Sequence, residues 1–250
     1  MKKESEDKKK LAKKTIKLFP TPPIRSIVSI HFLRILRHIF QCLWRLKVEG
    51  LDNLPSTGNC ILCPNHESHL DSLFVLSCLP YHYQVNLCSF AKREHFEHLL
   101  PRTGAWFMRS IPVNREGNPR RVLETGIELL KAGRPLLIHP EGTRTRDGKL
   151  NPFQRGAARL AVKTGLPLVP ILISGAYNIY RAHTMFPKLL SFDSSKPLRL
   201  SIKIGKPIFP PPDKKNVKIE RSLIAKLRQE VINLGKSNTD RNVEIKNREI

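Results

Sequence analysis

The longest periodic apolar segment of the chain lies near its amino terminus, at residues 24–46. Apolar side chains recur there at intervals of three, four and seven residues, which is the spacing of one face of an α-helix. Basic and polar residues occupy the other face, and Trp44 stands near the end. The pattern therefore predicts one amphipathic helix. Its apolar positions are Ile24, Ile27, Val28, Phe32, Ile35, Leu36, Ile39, Phe40 and Leu43, and its polar positions are Arg34, Arg37, His38, Gln41 and Arg45.

Two roles are compatible with this helix. A basic face opposite an apolar and aromatic face is typical of a helix that lies in a membrane interface. A helix that packs on a core and exposes its basic side has the same periodicity. A Lys-rich segment at residues 1–17 precedes the helix, and anionic headgroups attract nearby basic residues. We therefore expect an interfacial helix, and not a spanning one, because arginines near the bilayer centre are costly.

From residue 59 onward, short apolar runs alternate with helical patterns. This alternation predicts an α/β fold, with a mostly parallel sheet flanked by helices. The predicted strands are Asn59–Cys63, Gln84–Phe90, Pro135–His139, Leu166–Ser174 and Leu198–Ile204. The predicted helices are residues 69–79, 118–132 and 155–164 and Val217–Leu234, the last closed by Gly235.

The patterns divide the 250 residues into four segments. We expect a basic mobile tail at 1–23, the membrane-associating helix at 24–46, one α/β domain at 47–235 and a polar tail at 236–250. A chain of this length can hold one sizeable domain. Its five cysteines and its lack of a signal-peptide pattern predict reduced thiols on the cytoplasmic side.

The chain is strongly basic, with 44 Lys and Arg against 21 Asp and Glu and a net charge of +23. Such a surface attracts nucleic acid, anionic lipid, or an acidic carrier or phosphorylated substrate. The sequence has no RNA-binding or zinc-finger pattern, and its aromatic residues are not interleaved with the basic runs. We therefore expect an anionic membrane surface and an acidic substrate as partners, and no nucleic acid.

The segment at residues 60–71, with sequence CILCPNHESHLD, carries the densest chemistry. Zinc accepts the ligand types of Cys60, Cys63, His66 and His69. Structural zinc sites usually place about a dozen or more residues between two ligand pairs, however, and residues i and i+3 of a strand point to opposite faces. We therefore predict no metal site, and two cysteines that pack as small apolar side chains.

Two interpretations of Asp71 remain. With Ser68 at the N-cap and Asp71 three residues later, the segment fits a capping box. Alternatively, His66 and Asp71 form a catalytic pair. On one helix these two residues would lie about 140° apart, but they can meet if His66 ends a strand–loop segment and Asp71 begins the helix. One imidazole nitrogen would then bind the carboxylate, and the other would act as a general base.

A companion nucleophile of the Gly-x-Ser-x-Gly type is lacking in the sequence, so the pair would activate a hydroxyl of the substrate itself. Three further blocks follow in order, and with Asn65, His66 and Asp71 they resemble the PlsC-like glycerolipid acyltransferases, which include the 1-acyl-glycerol-3-phosphate acyltransferases. The resemblance covers about residues 45–210 and also includes Ala91–Glu94 and Phe153–Gly156. The three blocks are Ile111-Pro-Val-Asn-Arg115, His139-Pro-Glu-Gly-Thr-Arg144 and Leu168-Val-Pro-Ile171.

The resemblance implies a fold like that of the glycerol-3-phosphate acyltransferases and a peripheral enzyme on the cytoplasmic face of a membrane. His66 would deprotonate the sn-2 hydroxyl of 1-acyl-glycerol-3-phosphate, and Asp71 would orient His66. The oxygen would attack a thioester on coenzyme A or acyl carrier protein and give phosphatidic acid, with no cofactor. Glycerol-3-phosphate or another lysophospholipid is the alternative acceptor. A basic nucleic-acid-binding or membrane-binding protein without catalysis is the alternative class, and the presence of both His66 and Asp71 argues against it.

The resemblance also implies a site for the phosphate of the acceptor. Glycine permits close backbone approach, and an arginine offers a fork of donors that matches phosphate oxygens. Two positions depart from the family pattern and leave acceptor specificity open: His139 replaces an aromatic residue, and Gln154-Arg155 stands where two lysines are common. The implied binding residues are Glu141, Gly142, Thr143, Arg144, Arg115 and Lys92.

Overall fold

The structure, a computed structural model, describes the predicted helix and most of the α/β region. The described residues are 23–92, 110–113, 119–181, 183–184, 186–190, 197–212 and 216–236. The strands are β1 (Lys47–Glu49), β2 (Ile61–Pro64), β3 (Cys88–Lys92), β4 (Ser110–Val113), β5 (Leu136–Leu137), β6 (Leu168–Ser174) and β7 (Ser201–Ile204). The α-helices are α1 (Pro23–Trp44), α2 (Asp71–Cys78), α3 (Tyr81–Asn86), α4 (Pro119–Lys131), α5 (Gly156–Thr164), α6 (Ala176–Ile179) and α7 (Val217–Gly235).

The described strands form one seven-stranded sheet in the order β1-β7-β6-β2-β5-β3-β4. Every neighbouring pair is parallel except β6 and β7, which are antiparallel. The predicted mostly parallel sheet with flanking helices is thus confirmed. In a parallel sheet the carboxyl ends of the strands share one edge, so the residues that follow β2 and β5 lie near one another.

Both faces of the sheet are buried, as expected for a parallel sheet. Cys60 and Leu62 belong to one apolar cluster, with residues of α1 and α2, while Ile61 and Cys63 belong to a second cluster with residues of α4, α5 and α7. The alternation follows the two-residue period of a strand. Both cysteines are fully buried, so their predicted role in packing is confirmed.

The inner side of α1 packs into the first of these clusters. Leu33, Phe40 and Trp44 are buried, and both of these aromatic rings contact the ring of Phe74 in α2 edge-on. The indole N–H of Trp44 donates to the carbonyl of Lys188 at 3.0 Å. Trp44 is therefore part of the core, because its ring is buried and its polar atom is bound within the protein.

The outer side of α1 is nevertheless apolar as well. Val28, Phe32, Ile35 and Ile39 are 37% to 58% exposed, at helical spacing. We call these four residues the outer stripe. None of the described helices is long and apolar enough to cross a membrane.

Several predicted boundaries change in the structure. The predicted strand Gln84–Phe90 is wrong in its first half, because residues 81–86 form α3 and β3 starts only at Cys88. The helix follows Pro80, whose carbonyl accepts the amides of Tyr83 and Gln84, and the buried Tyr83 hydroxyl donates to the Pro55 carbonyl. Tertiary contacts of Tyr83 thus favour a helix where apolar alternation indicated a strand.

The ends of other elements also differ. Gly235 is the last residue of α7 and does not have a positive φ, so it is not the predicted left-handed cap; the chain leaves the helix at Lys236, with a φ of −72°. Two short strands, β1 and β4, were not predicted. The predicted tails fall almost wholly at residues 1–22 and 237–250, which lie outside the described residues.

Candidate active site

The candidate site lies at the carboxyl edge of the sheet, beyond β2, β5 and β6. Asn65 follows β2 and ties it to β6, because its side-chain amide donates to the carbonyl of Ile173 and accepts the amide of the same residue, at 2.9 and 2.7 Å. The Asn65 side chain therefore replaces a strand residue in the ladder between β2 and β6. This fixes the point at which the chain turns towards His66.

His66 and Asp71 meet as the sequence predicted, with the chain folding back between the end of β2 and the first residue of α2. The Nδ1 atom of His66 lies 2.9 Å from Oδ2 of Asp71. The side chain of His66 is 20% exposed, whereas that of Asp71 is fully buried. The ring is thus bound on its buried side and remains accessible to a substrate.

The same carboxylate oxygen of Asp71 also accepts the amides of Glu67 and Ser68, at 2.6 and 2.7 Å. Its second oxygen, Oδ1, is buried and has no hydrogen-bond partner among the described residues. Burial raises the pKa of Asp71 to about 7, against the lowering effect of the two amides. The buried environment thus favours the protonated form of Asp71 more than water would.

The capping-box interpretation holds only in part. Asp71 accepts the Ser68 amide, as the box requires, but α2 begins at Asp71 and its N-cap position is Leu70. The Ser68 hydroxyl accepts the amide of Leu70 at 3.2 Å. Ser68 is therefore not the N-cap, because a turn separates it from the helix.

Glu141 holds the backbone of the base. Its Oε1 accepts the amide of His66 at 2.7 Å, and its Oε2 accepts the amide of Asn151 at 2.9 Å. Glu141 is buried, and this burial raises the pKa of its carboxyl. The carbonyl of His66 in turn accepts the amide of Thr145 at 2.8 Å. Both backbone groups of His66 are thus bound by the loop at residues 141–145.

The middle of that loop is more open to solvent. Gly142 has a φ of +71°, which favours glycine, and both Gly142 and Thr143 are exposed. The guanidinium of Arg144 contacts the ring of His69, which also lies 4.9 Å from the ring of Tyr180. His69 thus lies between an aromatic ring and an arginine that the family resemblance assigns to phosphate binding.

Two predicted residues cannot be placed in the site. Arg115 lies outside the described residues. Lys92 is the last residue of β3, but the described part of the chain does not include its side chain. Their predicted contribution to substrate binding stays a prediction.

The structure adds Glu67, which sequence reasoning did not select. Its Oε2 accepts the amide of Tyr177 at the start of α6, at 3.0 Å. Burial, together with the nearby carboxylates of Asp71 and Glu141, raises the pKa of Glu67 to about 7, against the lowering effect of its hydrogen bonds to backbone amides. Glu67 meets Tyr177 only because β2 pairs with β6, so no local pattern could indicate this contact.

His139 is the second addition, because its ring stacks on the ring of His66. His66, Asp71 and His139 offer ligand atoms within 4.8 Å of one another. These atoms are engaged, however: His66 Nδ1 with Asp71, and the two ring nitrogens of His139 with the carbonyl of Asn65 and the hydroxyl of Ser72. A metal ion would have to displace these hydrogen bonds, so the arrangement fits a proton-transfer pair better than a metal centre.

Fold and site together define an α/β protein with a histidine–aspartate pair at the carboxyl edge of its sheet. The sequence model described as Acyltransferase matches residues 45–174, just over half of the chain. The chain therefore belongs to the acyltransferase family. The match includes both His66 and Asp71, as well as Glu141 and Arg144.

Among similar proteins of known name, the chloroplastic 1-acyl-sn-glycerol-3-phosphate acyltransferase BAT2 of Brassica napus is 34% identical over 163 residues, which are 59% of this chain and 45% of that protein. The human 1-acyl-sn-glycerol-3-phosphate acyltransferase alpha is 30% identical over 161 residues, or 62% and 56% of the two chains. This chain thus matches about half the length of these relatives.

A solved structure has the same fold. The 1-acyl-sn-glycerophosphate acyltransferase PlsC of Thermotoga maritima superposes with a TM-score of 0.64 at 23% sequence identity, covering 83% of this chain and 80% of that chain. At this identity the likeness establishes the fold alone.

Proposed function

We propose that this protein transfers an acyl chain from a thioester to the sn-2 hydroxyl of 1-acyl-glycerol-3-phosphate and so makes phosphatidic acid. One observation supports the proposal most strongly. Nδ1 of His66 lies 2.9 Å from Oδ2 of Asp71, while the His66 side chain is still 20% exposed and can meet a substrate. Membership of the acyltransferase family and relatives named as 1-acyl-sn-glycerol-3-phosphate acyltransferases support the reaction and the acceptor.

In the proposed reaction His66 is the general base. Asp71 holds Nδ1, so Nε2 takes the proton from the hydroxyl of the acceptor. The oxygen attacks the thioester carbonyl carbon, a C–O bond forms, and the C–S bond breaks. The thiolate then takes the proton from the His66 imidazolium. The products are an ester and a free thiol, and the step uses two substrates and groups of the chain, with no cofactor.

The carboxylate of Asp71 has a second task in this cycle, because His66 becomes positively charged once it has taken the proton. A buried carboxylate at 2.9 Å stabilises that imidazolium strongly, since few water molecules screen the two charges. The base is thus strengthened at the moment when the acceptor oxygen develops negative charge.

We further propose that the acceptor phosphate binds at the exposed loop of Gly142, Thr143 and Arg144, near His69. The cationic side chain of Arg144 and the exposed backbone beside it suit phosphate oxygens. Glu141 contributes indirectly, because both its oxygens hold backbone amides of the site. Arg115 and Lys92 remain further candidates on the basis of the family resemblance.

The outer stripe of α1 supports a peripheral position on an anionic membrane, which we place on the cytoplasmic side. Exposed basic residues, including Arg34 and Arg45, flank the stripe. Phe186, Leu189 and Leu190 are also exposed, in the segment whose Lys188 carbonyl binds Trp44. Apolar side chains enter the interface while basic ones bind headgroups, which suits an enzyme with a lipid acceptor.

A panel of acceptors and donors tests the proposal. Lysophosphatidate, glycerol-3-phosphate and a neutral lysophospholipid would each be offered with acyl-CoA or acyl carrier protein, and the lipid product would be identified by mass spectrometry. We expect phosphatidic acid from lysophosphatidate and a donor preference that the panel identifies. If only glycerol-3-phosphate is acylated, the acceptor is glycerol-3-phosphate and not lysophosphatidate. If no combination of acceptor and donor gives product, the proposed activity is refuted.

A further inference from the structure

His139 lies face to face with the proposed base. The ring centroids of His66 and His139 are 3.9 Å apart, and their planes differ by 13°. The two residues follow β2 and β5, which are neighbouring parallel strands, so the sheet itself brings them together. The contact joins residues more than 70 positions apart and is independent of the hydrogen bond between His66 and Asp71.

The hydrogen bonds of His139 identify its tautomer. Nδ1 lies 2.9 Å from the carbonyl oxygen of Asn65 and 3.3 Å from that of Pro64. Carbonyl oxygens only accept, so Nδ1 carries the proton. Nε2 lies 2.8 Å from the hydroxyl of Ser72, and in a neutral ring it accepts that hydroxyl proton.

His139 is also held in its neutral form. Burial, with a smaller effect of the neighbouring His66, lowers the pKa of His139 to about 3. A neutral ring avoids repulsion with the positive charge that His66 acquires during turnover. A protonated ring at 3.9 Å would oppose that charge and weaken the base.

The anchors of His139 bracket the catalytic pair. Pro64 and Asn65 directly precede His66, and Ser72 directly follows Asp71. The segment that carries His66 and Asp71 therefore holds the His139 ring through both ring nitrogens, and the face of the His139 ring covers the ring of His66. We propose that His139 is a positioning residue that fixes the plane of the His66 ring, so that Nδ1 meets Asp71 and Nε2 meets the acceptor; this inference rests on the proposed function.

A matched pair of variants separates ring stacking from simple filling of space. His139→Phe keeps a flat ring, and His139→Leu keeps apolar volume without one. We expect kcat of His139→Phe within about threefold of wild type and kcat of His139→Leu lower by about tenfold, with KM for both substrates changed less than twofold. Equal activity of the two variants would overturn the proposal, whether both are active or both are impaired while folded.

The hydroxyl anchor has its own test. Ser72→Ala removes the donor to His139, while Ser77→Ala removes a hydroxyl of the same helix that donates to the Phe74 carbonyl. We expect kcat to fall about twofold to threefold in Ser72→Ala, as in His139→Phe, which also lacks this hydrogen bond, and to stay unchanged in Ser77→Ala. A fall in Ser77→Ala equal to that in Ser72→Ala would contradict the specific role of this anchor.

A spectroscopic measurement is independent of turnover. In protein labelled with ¹⁵N-histidine at pH 7, His139 should be neutral with its proton on Nδ1, and ring protons of His66 should shift upfield because they lie over the His139 ring. The upfield shift should persist in His139→Phe and disappear in His139→Leu. A charged His139 or its other tautomer would overturn the proposal. A wild-type protein with this stack but no acyl transfer would instead refute the proposed function.

Discussion

The backbone amide of His66 donates to the carboxylate of Glu141 at 2.7 Å, although 75 positions separate the two residues. The other oxygen of the same carboxylate accepts the amide of Asn151. Glu141 itself belongs to the loop at residues 141–145, so it fixes this loop, with the proposed phosphate site, to the segment that carries His66. We therefore expect Glu141 to contribute to catalysis by placing other groups, which distinguishes it from a residue that binds substrate directly.

Removing this carboxylate should cost both stability and rate. Glu141→Ala leaves two amides without their partner, and we expect the free energy of unfolding to fall by about 2–4 kcal/mol. We also expect kcat to fall more than KM rises, because the base is displaced. Chemical denaturation and steady-state kinetics measure both effects. The control is Glu124→Ala, which removes an exposed carboxylate of α4. A variant with full stability and only a raised KM for the acceptor would indicate direct binding.

The pH dependence of the reaction should report the catalytic pair. Burial raises the pKa of Asp71 to about 7, so below that pH the His66–Asp71 pair holds an additional proton and the base is blocked. We expect kcat/KM to fall about tenfold per pH unit below about pH 7. Glu67 titrates in the same range, so the profile would also be measured for Glu67→Gln, where the acid limb should remain. If the fall in kcat/KM below about pH 7 disappears in Glu67→Gln, the titrating group is Glu67 and not the His66–Asp71 pair.

Glu67 should affect stability rather than the rate. Its pKa in the folded protein, about 7, exceeds its ordinary value of 4.5, so the folded state binds the proton more tightly than the unfolded state. Protonation of Glu67 therefore adds to the free energy of unfolding. This stabilisation is full below about pH 4.5 and is lost as the pH rises through 7, with a total on the order of 3 kcal/mol. Between pH 5 and 8 the unfolding free energy of Glu67→Gln should therefore vary less than that of wild type. The same slope in both proteins, with Glu124→Gln as the control, would contradict this assignment.

Membrane binding should depend on the outer stripe of α1. Ile35→Asp places a charge among exposed apolar side chains, and we expect binding to anionic liposomes to weaken about tenfold or more. Gln41→Asp adds the same charge on the same helix, outside the stripe, and should weaken binding much less. Sedimentation with liposomes measures both. Equal losses would mean that net charge alone controls binding. Deletion of the whole helix is a poorer experiment, because it also removes Leu33, Phe40 and Trp44 from the core.

The sequence predicted the features that depend on local pattern or on short spacing. The apolar run that includes Ile61 and Cys63 indicated a strand, and the spacing from His66 to Asp71 permitted the observed contact. The predictions failed where distant contacts decide the structure. Tyr83 holds a helix at residues predicted as a strand, and β1 has a single apolar residue, Val48, so no periodicity could reveal it.

The same limit applies to the site. The resemblance selected Glu141 for substrate binding, but its two amide partners depend on how two loops meet. His139 was noted only as a departure from the family pattern. Its stacking on His66 follows from the order of strands in the sheet, in which β5 pairs with β2. Strand order is a property of the whole fold, so no motif could predict this contact.

The proposed reaction requires His66 to be the base for acyl transfer to a lysophosphatidate hydroxyl. The most direct measurement is the release of free thiol from an acyl thioester, with and without lysophosphatidate, by wild type, His66→Ala and the control His82→Ala, which removes an exposed imidazole of α3. We predict acceptor-dependent release by wild type and His82→Ala, and a rate about 10²–10⁴-fold lower for folded His66→Ala. Undiminished release by His66→Ala would show that His66 is not the base.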